Sequence, residues 1–261
     1  MPKFFVKNNQ IAGNKITIEG EDVNHIVNVL RLKQNDKIEI CNGDTAENYI
    51  AKIISSNNEN VICEIFDKLD KTSESNIYIS IFQGLPKTDK IELIIQKCVE
   101  LGVKEITPVN MERCIVKLDN KAENKKIERW QKISEVASKQ SGRDFITKIN
   151  NVNNIKDICN FVSEYDILLV AYECEKQNPL KQEIHNLKKL NKNDLKIGVV
   201  IGPEGGISKE EIEKLVQAGA KTITLGNRIL RTETVAFVMT SILQYELGDL
   251  GGNTKEWKRM F

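Results

Sequence analysis

The spacing of apolar residues changes character near residue 70. Before it, short apolar runs at Lys3–Val6, Lys15–Ile18, Lys37–Cys41, Tyr49–Ser55 and Val61–Phe66 read as strands, with one helical stretch near Asp22–Leu30. So many short strands predict a small barrel-like β domain over residues 1–70. Residues 67–76, DKLDKTSESN, are polar and without apolar periodicity, which marks a domain boundary. From Ile77 strands and helices alternate. Strands are expected at 77–82, 105–109, 166–171, 196–201 and 221–225, and helices at 89–101, 125–140, 179–187, 209–218 and 233–247. In the first of these helices Ile91, Ile94, Ile95, Cys98 and Val99 share one side, and Gly102 ends it. The order predicts an α/β domain over about 76–250 with a mostly parallel sheet and helices on both faces.

Two glycine-bearing loops stand out in the second part. The strand 196–201 runs into Gly202-Pro203-Glu204-Gly205-Gly206, followed by Ser208 as helix N-cap with Glu211 three residues on. A bend between strand and helix lies where open α/β sheets place their ligands. The loop is neither a Walker phosphate loop nor a G-x-G-x-x-G dinucleotide loop. Its central carboxylate, Glu204, with no basic residue before Lys209, suits a neutral or cationic ligand better than a polyphosphate; a tight turn with a solvated Glu204 accounts for the same residues. The second loop, LGNRILRTETVAF, follows the strand ending at Leu225, with Thr232 as expected N-cap. A parallel β-α-β connection returns both loops to one end of the sheet, so they face one pocket with Glu204, Glu233, Arg228 and Arg231.

Composition adds bounds. The 261 residues are 40% hydrophobic and 29% charged with a formal net charge of +1, so bulk charge does not announce nucleic acid. Residues 1–74 hold 9 Lys and Arg against 12 Asp and Glu, and the remaining residues 29 against 25, so any RNA contact must come from local patches. The six cysteines form no C-x-x-C pair and there are two histidines, which argues against zinc and for free thiols in a reducing compartment. The N-terminus carries no apolar signal core, and no run approaches the roughly 20 apolar residues of a membrane span, so a cytoplasmic protein without membrane or metal is expected.

IGPEGGISKEE followed by LGNRILRTETVAF resembles the RsmE family of the SPOUT methyltransferase superfamily. HIVNVLRLKQNDKIEI, GLPKTDKIELIIQKCVELGVKEITPV and SKQSGR are similar to the same family in the same order, so the resemblance spans nearly the whole chain. It implies a PUA-like β-barrel RNA-binding domain followed by a trefoil-knotted methyltransferase domain, S-adenosyl-L-methionine as cofactor, a homodimer, and methylation of N3 of a uridine in 16S ribosomal RNA of the small subunit. The GPEGG bend then becomes one wall of a pocket for a donor that carries a positive sulfur.

By the same resemblance, cofactor contact falls to Ile201, Gly202, Pro203, Glu204 and Gly205 in the first loop and to Leu225, Gly226, Ile229 and Leu230 in the second. Tyr172 and Glu173, after the strand ending at Ala171, form a third wall. Arg231 is the expected catalytic cation. Uridine N3 must lose a proton, the resulting anion spreads onto the ring oxygens, and a fixed guanidinium there is worth on the order of 3 kcal/mol, as in an oxyanion hole. Glu233 either positions Arg231 or accepts the proton, and positioning is favoured because pairing makes a carboxylate a weaker base. Arg31, Lys87, Arg113 and Arg143 are the expected RNA contacts; Lys87 and Arg143 sit in loops, where phosphate contacts are common. The cation-rich run Lys117–Lys132 reads first as the solvated face of a helix. Lys139, Cys114 and the turn at 42–49 depart from the family pattern, which bears on RNA contacts more than on the cofactor site. A noncatalytic RNA-binding ribosome-assembly factor, and an enzyme methylating a ribose hydroxyl or a guanine ring nitrogen, are the competing readings.

Overall fold

A computed structural model describes residues 1–70, 73–87, 90–116 and 120–252 and divides them into two compact units. The first comprises Met1–Glu74 together with Ser138–Ile146. Its strands are β1 (Lys3–Val6), β2 (Ile11–Ala12), β3 (Lys15–Glu19), β4 (Lys37–Asn42), β5 (Glu47–Ser56) and β6 (Asn60–Leu69), with the short helix α1 (Glu21–Asn24) continued by a wider turn through Val29. They form one sheet in the order β1-β4-β5-β6-β3-β2, antiparallel except for the β1–β4 pair. The alternation that predicts these strands is the alternation that fills their core: Ile16 and Ile18 of β3, Ile38 and Ile40 of β4, Ala51 and Ile53 of β5, and Val61 and Cys63 of β6 are all fully buried. β6 extends three residues beyond its apolar run, into the polar stretch expected to be linker. Residues 71 and 72 of that stretch lie outside the described residues.

The segment 138–146 joins this unit through polar contacts that no hydrophobic pattern announces. Arg143 is 5% exposed and forks onto Glu74, Nε to Oε1 at 3.2 Å and Nη2 to Oε2 at 2.6 Å. Asp144 receives Lys3 and the backbone amide of Ser73, and Lys139 pairs with Asp22 at 2.9 Å. The bidentate fork suits a buried pair, since a planar guanidinium satisfies both carboxylate oxygens at once.

The second unit, Ser75–Ala137 with the residues from Thr147 onward, is an α/β body. In chain order it contains β7 (Tyr78–Gly84), α2 (Lys90–Glu100), β8 (Glu105–Asn110), α3 (Asn120–Gln140, whose last residues belong to the first unit), β9 (Lys148–Ile149), β10 (Asn153–Asn154), α4 (Ile155–Phe161), β11 (Ile167–Ala171), α5 (Leu180–Lys189), β12 (Lys196–Ile201), α6 (Lys209–Gln217), β13 (Lys221–Ile223) and α7 (Thr232–Leu247). Every strand pair is parallel, in the order β10-β8-β7-β12-β11-β13, with β9 beside β8. β12 is central and accordingly apolar on both faces, its residues from Ile197 to Ile201 all buried. After pairing with β11 along β12, the chain passes to the far side of β11 as β13.

Local chemistry sets the helix boundaries. Ser208 and Glu211 cap α6 reciprocally, and Asn154 with Asp157 does the same for α4, a helix that apolar periodicity alone does not show. α2 buries the five residues expected, beginning at Lys90; the expected first residue, Asp89, lies outside the described residues, as do 117–119 of the cation-rich run. α2 packs against α7. Among the described residues no helix is long and apolar enough to cross a membrane, and no cluster of three or more His, Cys, Asp or Glu could hold a metal.

Candidate active site

Three neighbouring parallel strands, β12, β11 and β13, end at Ile201, Ala171 and Ile223, and at their carboxyl ends lies a cavity of about 520 Å³. The volume is in the range of pockets that take a nucleoside-sized ligand. Its walls are Ala171–Glu173, Ile201–Gly206 and Ile223–Thr232, with Lys90 and Val235 closing it from the helices. A parallel sheet makes this convergence automatic, because every strand finishes on the same edge and each following loop crosses it. All eleven residues expected at the cofactor, from Tyr172 to Leu230, stand in that lining.

Backbone shape explains the glycines. Gly206 holds φ at +71°, and a Cβ there would come within 2.5 Å of the Glu173 carboxylate, so the first loop can press against the third wall only without a side chain. On β7, a Cβ on Gly84 would meet the Pro203 nitrogen at 2.7 Å, so this strand end is bare where the GPEGG bend crosses it. Arg113 braces the same bend, donating from Nη1 to the Gly205 carbonyl at 3.1 Å. The Glu112 amide donates to Glu211 at 2.9 Å beside it.

The two principal loops are joined by a buried hydroxyl. Thr232 donates from Oγ1 to the Gly202 carbonyl at 2.7 Å and accepts from Nε2 of the fully buried Gln83 at 2.8 Å. This corrects the expected cap. α7 begins at Thr232 itself, its N-cap position is Arg231, and no side chain caps the helix. The Thr232 hydroxyl is used across the sheet end instead.

In the second loop, residues 226–229 and Arg231 are exposed, Ile229 to 87%. Among the described residues, the backbone amides of Asn227, Arg228, Ile229 and Leu230 make no backbone hydrogen bond. Free peptide groups beside an apolar wall are what a nucleoside edge requires. They fit S-adenosylmethionine, whose nucleoside they can meet, and the lining adds the carboxylates of Glu173 and Glu204.

That carboxylate chemistry centres on a residue that the sequence reading passed over. Lys90 Nζ lies 3.3 Å from Glu204 Oε1 and 3.3 Å from Glu233 Oε2. Glu204 also accepts from the Lys87 amide at 3.2 Å on each oxygen. Burial raises its carboxyl pKa, but the backbone amides of Glu204 and Lys87 and the Lys90 ammonium outweigh it and hold the group below the usual carboxylate range. Lys90 is raised in turn, by its hydrogen bond to Glu204 first, against a lowering by desolvation, and by Glu233. The available signal was positional: Lys90 opens an amphipathic helix one strand away from β12.

The expected catalytic pair is arranged differently from its expectation. Arg231 lines the cavity and is exposed, and among the described residues it forms no ion pair. Glu233 is outside the lining and faces Lys90, not Arg231. Positioning of Arg231 by Glu233 is therefore withdrawn, since Glu233 is committed to another cation. Arg143 is corrected as well. Buried in its fork with Glu74, it is not an exposed loop cation that could meet a phosphate. Arg31 is exposed in the first unit, at a φ of +52°. Lys87 and Arg113 are exposed in the second, both at the first loop of the cavity.

Residues 73–244 match the RNA methyltransferase domain family, and residues 18–66 match the RNA methyltransferase PUA domain family. Ribosomal RNA small subunit methyltransferase E of Bacillus subtilis (strain 168) is 36% identical over 238 residues, covering 91% of this chain and 92% of the relative. The protein of the same name from Mesomycoplasma hyopneumoniae (strain 232) is 32% identical over 245 residues, covering 94% and 100%. Among solved structures, a ribosomal RNA small subunit methyltransferase E from Neisseria gonorrhoeae bound to S-adenosyl methionine superposes with a TM-score of 0.79 at 29% identity, over 96% of this chain and 99% of that one. A Legionella pneumophila protein in complex with bound SAM gives 0.77 at 30% identity, over 95% and 98%.

Proposed function

The chain belongs to the ribosomal RNA small subunit methyltransferase E family, and from that premise we propose that its cavity carries out methylation of N3 of a uridine in 16S ribosomal RNA. It is an S-adenosylmethionine-dependent methyltransferase of small-subunit ribosomal RNA. The observation that carries the reading is the meeting of three loops at the ends of β11, β12 and β13, with an exposed arginine at the mouth and carboxylates within. When bound, the cofactor supplies a methyl group on a positively charged sulfur. Residues 201–206 and 225–230 would hold its nucleoside part through backbone groups, with Tyr172 and Glu173 as the opposing wall.

Arg231 would face the uracil oxygens and stabilise the anion left when N3 loses its proton, a contribution on the order of 3 kcal/mol for one well-placed donor. Glu233, held by Lys90, would act through that lysine and not as the proton acceptor. The first unit would serve as a PUA-like RNA-binding domain, with Arg31 contacting RNA there and Lys87 and Arg113 contacting it beside the cavity. The passage of the chain from β12 across β11 to β13 supports a trefoil knot in the methyltransferase domain. A homodimer is supported by α7, which leaves the apolar side chains of Phe237, Val238 and Ile242 partly exposed.

The test is transfer of labelled methyl from S-adenosylmethionine to small ribosomal subunits lacking the modification, followed by digestion to nucleosides. A 3-methyluridine product that disappears with Arg231→Ala while the cofactor still binds is the expected result. A methylated ribose or guanine would overturn the target atom. RNA binding without cofactor binding would overturn the catalytic reading in favour of an assembly factor.

A further inference from the structure

Lys90, in the cavity lining, ties a carboxylate of that lining to a carboxylate just outside it. Glu204 comes from the loop after β12 and Glu233 from the first turn of α7, and one ammonium lies 3.3 Å from each. Their supports differ. Glu204 also has the Lys87 amide, whereas the buried Oε2 of Glu233 has no hydrogen-bond donor among the described residues, so the charge of Lys90 is its compensation. The triad of two carboxylates and one ammonium carries one net negative charge, and without Lys90 it would carry two.

A methyl donor with a cationic sulfur becomes a neutral thioether once the methyl has left. A fixed charge in the wall therefore acts on donor and product unequally, while shape and hydrogen bonding act on both alike. We propose that Lys90 is a specificity-determining residue of the cavity: held between Glu204 in the lining and Glu233 outside it, it offsets the negative charge near the ligand and so sets how strongly the site prefers the sulfonium donor over the thioether product. The inference rests on the cofactor reading given above. Its functional consequence is turnover, because a site with two uncompensated carboxylates would hold the donor more tightly and resist the loss of positive charge that accompanies transfer.

The test is calorimetric titration of the full chain with S-adenosylmethionine and with S-adenosylhomocysteine. In Lys90→Met the ratio of the two dissociation constants should shift toward the donor by about tenfold, the scale of one unit charge nearby at the effective dielectric of a partly exposed site. Lys90→Arg should keep the wild-type ratio, and adding Glu204→Gln to Lys90→Met should return the ratio toward wild type. Lys90 is 30% exposed, so these changes leave the core untouched. An unchanged ratio in Lys90→Met, or equal weakening of both ligands, overturns the charge role and leaves Lys90 a structural tie. A wild-type protein that binds neither ligand overturns the cofactor reading itself, and the proposal with it.

Discussion

Removing one oxygen atom from Thr232 tests the architecture of the site most directly. Thr232→Val keeps the side-chain shape and deletes the hydroxyl, which donates to Gly202 at 2.7 Å and accepts from Gln83 at 2.8 Å. Thr232 is 5% exposed and Gln83 fully buried, so water is poorly placed to replace the lost partners. Two net hydrogen bonds are worth about 1 kcal/mol each, and the stranded Gly202 carbonyl adds about 1–2 kcal/mol, whereas Gln83 Nε2 retains the Gly84 carbonyl at 3.0 Å. The expected loss is about 3–4 kcal/mol in urea unfolding of the second unit, at unchanged m-value. Because the bond ties the two principal loops, S-adenosylmethionine affinity should fall by about tenfold as the loops lose their common anchor, with Thr232→Ser retaining both properties. A Thr232→Val protein within about 0.5 kcal/mol of wild type, with unaltered affinity, would refute the claim that this hydroxyl organises the site.

Gly206→Ala should weaken S-adenosylmethionine binding by tenfold or more in calorimetry, because the left-handed backbone costs a side chain about 1–2 kcal/mol and the new Cβ displaces Glu173. In thiol titration of the folded chain at pH 8, exposed Cys174 should react first, while Cys41, Cys63 and Cys98, each pushed up to about 12 by burial, should wait for unfolding. The Lys3–Asp144 pair should stabilise the first unit over a defined pH window. Burial raises the Asp144 carboxyl, but Lys3 and the Ser73 amide leave it below its ordinary 3.8, so this stabilisation is present above about 3.8 and fades as acid titrates the folded group. Desolvation lowers Lys3, yet Asp144 leaves it above 10.5, so its share is complete below that value and is lost as pH rises through the folded pKa. Urea midpoints against pH should therefore show a plateau that Lys3→Met lowers. Substituting Val238→Glu on α7 should convert a dimer to monomer in light scattering if that face is the subunit contact.

The strands, the glycine bends and the cavity wall were legible because each follows from a local rule. Period-two burial identifies β3 to β6, a buried Val-Ile run identifies β12, and a parallel sheet gathers the loops that follow its strands. The attachment of 138–146 to the first unit was not legible. It depends on Arg143, Asp144 and Lys139 finding Glu74, Lys3 and Asp22 across long sequence separations, and no periodicity encodes an ion pair. For the same reason Arg143 read as an RNA contact: burial of a cation is decided by its partner, which sequence does not name.

The same logic applies at the centre of the site. Adjacent residues Arg231, Thr232 and Glu233 invite a local reading in which the hydroxyl caps, and the carboxylate orients its neighbour. Helix geometry prevents it. Arg231 is the extended N-cap residue before the helix, and successive helical residues such as Thr232 and Glu233 point about 100° apart, so each side chain at the start of α7 serves a different surface. Arg231 stays at the exposed mouth, Thr232 turns inward to Gly202 and Gln83, and Glu233 reaches Lys90 on α2, which packs against α7. The N-cap residue and the first two helical residues of α7 thus supply an exposed cation, a loop anchor and one arm of a charge triad. Removing the charge at Glu233 should consequently be felt through Lys90 and Glu204 before it is felt at Arg231. Glu233→Gln should leave Arg231-dependent catalysis measurable while moving the donor-to-product affinity ratio opposite to Lys90→Met; abolition of turnover with an unmoved ratio would instead make Glu233 a proton acceptor.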